Sequence, residues 1–466
     1  MTTANVLRKN DLDALVHPAT NFVAHQNNGP LIMESAKGIF ITDVSGKQYI
    51  EGMAGLWCTA LGYGVPELIE TAREQMEKLS YAHMFAGRSH EPGIELAAKL
   101  KSMVPINDAR VFFGNSGSDA NDTQIKMIWY YNNAIGRPNK KKIIARTGGY
   151  HGVTIASASL TGLPVNHADF DLPIDRFLHT TKPHFYREGL PGEDEAAFTD
   201  RLVKDLEELI KREGGDTIAA FIAEPVIGAG GVLTPPKDYF PKIQAVLDRH
   251  DIVLIDDEVV CGFHRTNNLF GAQTYGIRPD TMTLAKALSS AYLPISATII
   301  SGEIYEPMIS RSQVNKAFGH GYTYSGHPVA AALSLKNIEL MEEWGIADHV
   351  RKLSPIFEAR FAKLSNHPLV GEARAVGMIG AVELVKNKAD KSPFDTIGAI
   401  GLKCFEFALD EGLIVRNIGD TIALCPPLVI TEEELSELFD RLERALNRAL
   451  DWAVKAASLT GQSRRG

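Results

Sequence analysis

The sequence predicts an α/β fold: a large domain whose mainly parallel sheet is sandwiched by helices, plus a smaller α+β domain drawn from both chain ends. Three observations carry this. Short apolar runs alternate with helix-length amphipathic segments through the middle of the chain. At 466 residues the chain is too long for one compact core. From about Pro328 onward the alternation gives way to a long helical stretch and a mixed tail.

Taken in order, the first fifty or so residues offer only short strands, at 38–42 and 48–51. The alternating region predicts strands over 110–113, 142–146, 218–224, 252–257, 281–285 and 295–301. Helices are expected between them at 119–134, 198–212 and 239–249, with Asp238 or a neighbour capping the last. The tail predicts a helix over 329–343, strands over 378–384, 413–416 and 421–424, and a final helix over 432–455. The large domain is therefore set at 60–328, and the smaller one at 1–59 and 329–466.

Composition excludes several classes. Hydrophobic content of 45% and charged content of 23% are ordinary for a globular protein. A net charge of −9 argues against nucleic-acid or anionic-membrane partners, and the terminal Arg464-Arg465 pair reads as a solvated tail. No apolar run is long enough to span a bilayer, and the first thirteen residues carry charges where a signal peptide needs an apolar core. Cys58, Cys261, Cys404 and Cys425 are too scattered for a zinc site or disulfide framework, so free thiols in the cytoplasm are expected, with no metal.

The chemistry is written at the strand ends. The run Ile252-Val253-Leu254-Ile255 stops in Asp256-Asp257-Glu258-Val259, and the next strand delivers Lys286. A lysine can form a Schiff base with the aldehyde of pyridoxal phosphate, and a carboxylate can keep the pyridine nitrogen protonated. Strand alternation turns Asp256 and Asp257 to opposite faces, so only one can meet a ring. Ser116-Gly117-Ser118 opens a helix after a strand, which makes a phosphate seat, though an ordinary N-cap reads the same way. Tyr150 and His151 follow the strand at 142–146, where an aromatic can stack on a pyridine, or merely pack in a glycine-rich turn. Glu224 ends a strand at the ligand crevice of an open sheet, or else serves as an ion-paired carboxylate. The loop around Tyr322 and Thr323 is rich in glycine and hydroxyls and can reach a phosphate, in its own subunit or a partner's. Arg416 ends an apolar run; in a cleft it would clamp a carboxylate, on the surface it would do nothing specific.

Gly-Ser-Asp-Ala-Asn-Asp, Gly-Tyr-His-Gly, Ala-Glu-Pro-Val, Asp-Glu-Val and Thr-Tyr-Ser-Gly-His-Pro-Val-Ala-Ala occur here in one order. With Glu-Gly-Met-Ala-Gly-Leu-Trp-Cys at 51–58, the chain resembles the class III (ω-amino) aminotransferases of fold type I, nearest the polyamine– and β-alanine–pyruvate group. The resemblance implies transfer of an amino group from an ω-amino acid, polyamine or other primary amine to a keto acid, pyruvate above all, through pyridoxal phosphate. It implies Lys286 as Schiff-base lysine and proton shuttle, and Asp257 as partner of the pyridine nitrogen. Val259 would face Tyr150 across the ring, while His151, Glu224 and Tyr322 join the cofactor wall. Ser116, Gly117 and Ser118 would seat the phosphate, with Thr323 supplied by the other subunit of a homodimer, alone or within a tetramer. Phe22, Leu56, Trp57, the partner-chain Phe85, Tyr150 and Arg416 are similar to substrate-pocket residues. The chain departs from the family pattern at Asp256, His264, Ala287 and Ala291, which bears on pocket shape.

The rivals are few. A P-loop ATPase also ends a strand in Asp-Glu, but needs Gly-Lys-Ser/Thr, and Gly46-Lys47 is followed by Gln48. A non-catalytic cofactor-binding protein would not need the intact lysine. An aminomutase or a decarboxylating aminotransferase remains the alternative on the same fold.

Overall fold

The computed structural model describes residues 3–463, so the Arg464-Arg465 pair lies outside the described residues. Seven strands of the middle segment form one sheet: β1 Arg110–Gly114, β2 Lys142–Arg146, β3 Phe177–Thr180, β4 Ile218–Ala223, β5 Val253–Asp257, β6 Thr281–Leu284 and β7 Ser296–Ile300. Their spatial order is β1-β7-β6-β5-β4-β2-β3. β7 is antiparallel to both neighbours, and every other pairing is parallel. β4, β6 and β7 are buried at every position, as strands covered by helices on both faces must be.

The helices explain themselves locally. Glu195–Glu213 starts where Asp194 accepts the Ala197 N–H at 2.8 Å, and it buries Phe198, Leu202, Leu206 and Leu209 along one stripe. That cap adds most of a turn to the expected start at 198. Tyr239–Arg249 forms as expected, but Asp238, although at the N-cap position, makes no side-chain cap bond.

Two four-stranded sheets flank this layer. One joins Met33–Lys37, Phe40–Asp43 and Gln48–Glu51 to Leu413–Ile414, so the two chain ends share a sheet. The other joins Val370–Val376, Ile379–Leu384, Thr421–Leu424 and Arg416–Ile418. The single strand expected at 413–416 is thus two short ones, and the chain crosses between sheets at Val415. That crossing sets Arg416 at the junction.

The last helix, Glu432–Ser463, is opened by a reciprocal cap: Thr431 Oγ1 accepts the Glu434 N–H at 3.2 Å, and Glu434 Oε2 accepts the Thr431 N–H at 2.8 Å. Its Phe439 ring lies 5.6 Å from Phe357 and 5.3 Å from Phe361, both on helix Ile346–Leu364. Phe439→Ala should therefore cost about 3–5 kcal/mol in urea unfolding. Leu402→Ala, at a site 47% exposed, should stay within about 0.5 kcal/mol of wild type.

Candidate active site

Five strand ends converge on one edge of the large sheet. β1 leads into Ser116-Gly117-Ser118, β2 into Tyr150 and His151, β4 into Glu224, β5 ends on Asp257, and β6 leads into Lys286. These are carboxyl ends of parallel strands, where open α/β sheets bind their ligands.

The turn after β1 is fixed by Asp119. Its carboxylate accepts the N–H groups of Asn115 at 2.9 Å and Ser116 at 3.1 Å, and Ser116 Oγ accepts the Asp119 N–H at 3.2 Å. Helix Gly117–Ala134 therefore starts with its free N–H groups aimed at the crevice. A Cβ on Gly117 would come within 3.2 Å of the Val259 methyls, so glycine lets the phosphate seat and Val259 close on each other. Ser118 Oγ accepts the Val153 N–H at 3.1 Å and keeps its own proton to donate.

Asp257 is buried, and its Oδ2 lies 2.8 Å from both Asn121 Nδ2 and His151 Nδ1. Asn121 is oriented in turn: Thr283 on β6 donates to its Oδ1 at 2.8 Å, and its amide also donates to His151 O at 2.7 Å. His151 and Asn121 are thus what hold the carboxylate in place. Asn121 stood only inside a motif when the sequence was read, and Thr283 was missed. Their signal was position alone: Asn121 one turn into the helix, Thr283 on the strand beside Asp257.

Lys286 follows β6 in a short 3₁₀ turn, with a left-handed φ of 48° that a lysine seldom adopts. Burial pushes its amine pKa down, while Cys58, Asp257, Glu224 and Cys425 hold it up. The two thiols were not foreseen as neighbours. Asn337 on helix Pro328–Glu343 ties the turn, donating to Ala287 O at 2.9 Å and Leu288 O at 3.1 Å. Ala291 keeps a left-handed φ of 65° without glycine's freedom.

Glu224 is fully enclosed, and burial raises its pKa. Its Oε1 accepts the Tyr150 N–H at 2.9 Å and its Oε2 the Gly228 N–H at 2.9 Å, so the carboxylate also shapes the Tyr150 turn. Arg416 is half-buried beside Tyr150, with its Nε unpartnered among the described residues. Trp57, 3% exposed and at a left-handed φ of 66°, packs with Val226, Val260 and Cys425.

The remaining expected residues lie on the surface of the chain. Phe22, Leu56 and Phe85 are exposed by 57%, 53% and 44%. Thr323 is exposed, and its carbonyl accepts the Tyr81 hydroxyl at 2.8 Å. The Phe85 ring packs against Gly321 of the same loop, so the two residues expected to serve a partner subunit form one patch. Tyr322 differs from its expected role. Its hydroxyl donates to Asp119 O at 2.9 Å, so it braces the phosphate-seat helix rather than facing the crevice.

These groups fit a phosphorylated pyridine aldehyde: an anion seat at a helix start, a carboxylate able to accept from a ring N–H, and a lowered-pKa amine. A family model for class III aminotransferases matches residues 22–446. The chain belongs to the class III aminotransferases. It is 49% identical over 418 residues to gamma aminobutyrate transaminase 1, mitochondrial, of Solanum lycopersicum, covering 90% of this chain and 81% of that protein. A rice relative (Oryza sativa subsp. japonica) of the same name is 49% identical over 414 residues, with 88% and 80% covered. The omega transaminase of Pseudomonas jessenii, solved with PMP, superposes with a TM-score of 0.95 at 49% identity, covering 96% of this chain and 98% of that one. This class III aminotransferase is accordingly a fold type I, pyridoxal-phosphate-dependent enzyme that moves amino groups from amines to keto acids, as the sequence predicted.

The aminotransferase's departures from family pattern now have places. His264 keeps a left-handed φ of 71° and faces a cavity of about 350 Å³ with Met103, Leu269, Ile338 and Met341. None of the strand-end residues lines that cavity, so His264 does not shape the cofactor wall as expected. Asp256 faces away from Asp257, buried on the other side of β5. Its oxygens meet no N–H or O–H donor among the described residues; what reaches them is the Glu258 carboxyl. Two carboxyls bond only if one carries a proton. Glu258 already accepts the N–H groups of Gly271 at 2.9 Å and Ala272 at 2.6 Å, so the proton belongs on Asp256. Burial and Glu258 both push Asp256 well above the usual carboxylate range, and burial takes Glu258 up to about 7.

A raised folded-state pKa contributes stability that is complete in acid and lost as pH rises through the raised value. Asp256→Asn keeps a donor toward Glu258 and cannot ionise. Its Tm should match wild type at acidic pH and exceed it increasingly toward alkaline pH; scanning calorimetry giving parallel profiles would contradict the shared proton.

Proposed function

We propose that this aminotransferase takes ω-amino acids, polyamines and related primary amines as donors and pyruvate as acceptor. The observation that carries the reading is the meeting of Lys286 and Asp257 at the ends of the adjacent strands β6 and β5. The bound cofactor supplies a carbonyl for the amine and an electron-withdrawing ring. In our reading Asp257, oriented by Asn121 and His151, would hold the proton on the ring nitrogen. Lys286 Nζ takes the proton from the amine-bearing carbon and returns it; its lowered pKa leaves more of the free base available near neutrality than an exposed lysine would. Ser116, Gly117 and Ser118 would seat the phosphate, and Val259, which closes on Gly117, would bound the ring opposite Tyr150.

Arg416, beside Tyr150, is placed to clamp the carboxylate of a keto acid, while Trp57 and Leu56 bound the amine side. A thermostable omega transaminase at 48% identity, in which one tryptophan, one phenylalanine and one arginine are changed, is described as engineered for asymmetric synthesis of enantiopure bulky amines. Trp57 and Arg416, with Phe22 and Phe85, are the residues of those types in the pocket we propose.

The exposed patch of Phe85, Tyr81 and Thr323 supports a homodimer in which each subunit completes its partner's site. We assign 60–328 to the cofactor-binding domain, and 1–59 with 329–466 to the small domain. Four free cysteines, three of them buried, favour the cytoplasm; among the described residues no helix is long and apolar enough to cross a membrane.

Steady-state kinetics with putrescine, β-alanine, taurine and 1-phenylethylamine against pyruvate tests the reading. Lys286→Ala should lose turnover, and Asp257→Asn should lose at least about 100-fold in kcat. Arg416→Leu should raise KM for pyruvate about 10- to 100-fold while leaving KM for 1-phenylethylamine unchanged, because only the acceptor carries a carboxylate. Light scattering on the eluting protein should give twice the mass of one chain; a monomer with full activity would exclude the shared site.

A further inference from the structure

A second group of chemically versatile side chains lies outside the catalytic crevice, at the start of the chain. Asp11, on helix Thr3–Ala14, has one carboxylate oxygen 2.9 Å from His17 Nε2 and the other 2.9 Å from His25 Nε2. His25 belongs to helix Phe22–Asn28, whose start is fixed by Asn21 accepting the Ala24 N–H at 3.0 Å. The two imidazole rings are 4.2 Å apart. All three donor atoms fall within 4.8 Å of one another.

We infer that Asp11, His17 and His25 form a binding site for one divalent transition-metal ion of the zinc class, open to solvent on its remaining face. Two imidazoles and a carboxylate are a donor set that suits such an ion and suits calcium or magnesium poorly. Tetrahedral zinc, with bonds of about 2.0–2.1 Å, needs donors roughly 3.3 Å apart, so each imidazole must open from its carboxylate oxygen by only a few tenths of an ångström, with the two ring nitrogens, within 4.8 Å of each other, adjusting to the same spacing. The ring nitrogens already converge by their Nε2 atoms. Moving each ring proton to Nδ1 turns both Nε2 atoms into lone-pair donors. Side-chain exposures of 29% for His17 and 13% for His25 and Asp11 leave a path for the ion and room for water in the open position.

Charge separates this group from the other such cluster among the described residues. His184, Glu372 and Glu383 also bring three donor atoms together, but Arg187 pairs with Glu383 and Arg374 with Glu372. Those guanidiniums already occupy the place of a cation. Asp11 is engaged by the two histidines, and the nearby Arg8 donates instead to Asn28 O at 2.8 Å. A bound ion would tie the first helix to the second across residues 12–24. It would fix the turn carrying Phe22, three residues before His25 at the expected mouth of the amine pocket.

The experiment uses the tag-free holoenzyme, with wild type and the His17→Gln/His25→Gln variant incubated with zinc sulfate at pH 7.5 and then desalted. Elemental analysis should find one zinc per chain retained by wild type and none above background by the variant, with the same circular dichroism and cofactor absorbance in both. Zinc should raise the Tm of wild type only. Asp11→Asn provides a second variant should the double one misfold, with the same loss of zinc expected. Equal zinc in wild type and variants, as adventitious binding at Cys58 would give, overturns the site. So does the absence of zinc from all of them, which leaves a hydrogen-bonded His–Asp–His group.

Discussion

The site depends on a buried carboxyl group, Asp257, at the end of a central strand. A carboxylate enclosed in the protein interior is tolerable only when partners satisfy it. Asp257 meets that condition through Asn121 and His151, and Asn121 meets its own through Thr283. The helix after β1, the turn after β2 and the strand β6 are thereby locked to one carboxylate. These elements also carry Ser116-Gly117-Ser118, Tyr150 and Lys286, so satisfying that carboxyl group fixes their relative positions.

The surrounding backbone is strained where it meets the crevice. Ala54, Trp57, Lys286 and Ala291 all sit at left-handed φ without being glycine. Such residues cost on the order of 1–3 kcal/mol each and persist only where the scaffold over-determines them. Asn337 supplies part of that restraint for the lysine turn. For the 51–58 segment, Cys425 donates its N–H to Gly52 O at 2.7 Å, which joins the C-terminal sheet to the N-terminal one. The shared sheet of Gln48–Glu51 and Leu413–Ile414 has the same effect: it ties the segment leading to Trp57 to the one leading to Arg416, which is distant in sequence.

Much of this was legible in the sequence, for physical reasons that differ by element. The central strands were readable because full burial on both faces leaves continuous apolar runs. Strict alternation in a strand limits the ring partner to one of Asp256 and Asp257, and the Asp-Glu-Val motif of the resembled family points to Asp257. β3 was missed because Phe-Leu-His-Thr is short and half polar, as an edge strand can be. The break at Val415 was invisible because both halves are apolar and only the tertiary pairing divides them. The partners of Asp257 were out of reach in principle, since hydrogen bonds across 136 or 106 residues leave no periodic trace. Tyr322 was assigned to the cofactor wall because a hydroxyl in a glycine-rich loop gives no sign of which acceptor it has found.

The reaction we propose requires Lys286 to hold the cofactor. The direct measurement is borohydride reduction of the purified holoenzyme, followed by proteolysis and mass spectrometry of the labelled peptide. The phosphopyridoxyl group should be found on the peptide containing Lys286, on that lysine. A label on any other lysine, or no label on a protein that turns over amine and keto acid, would contradict it.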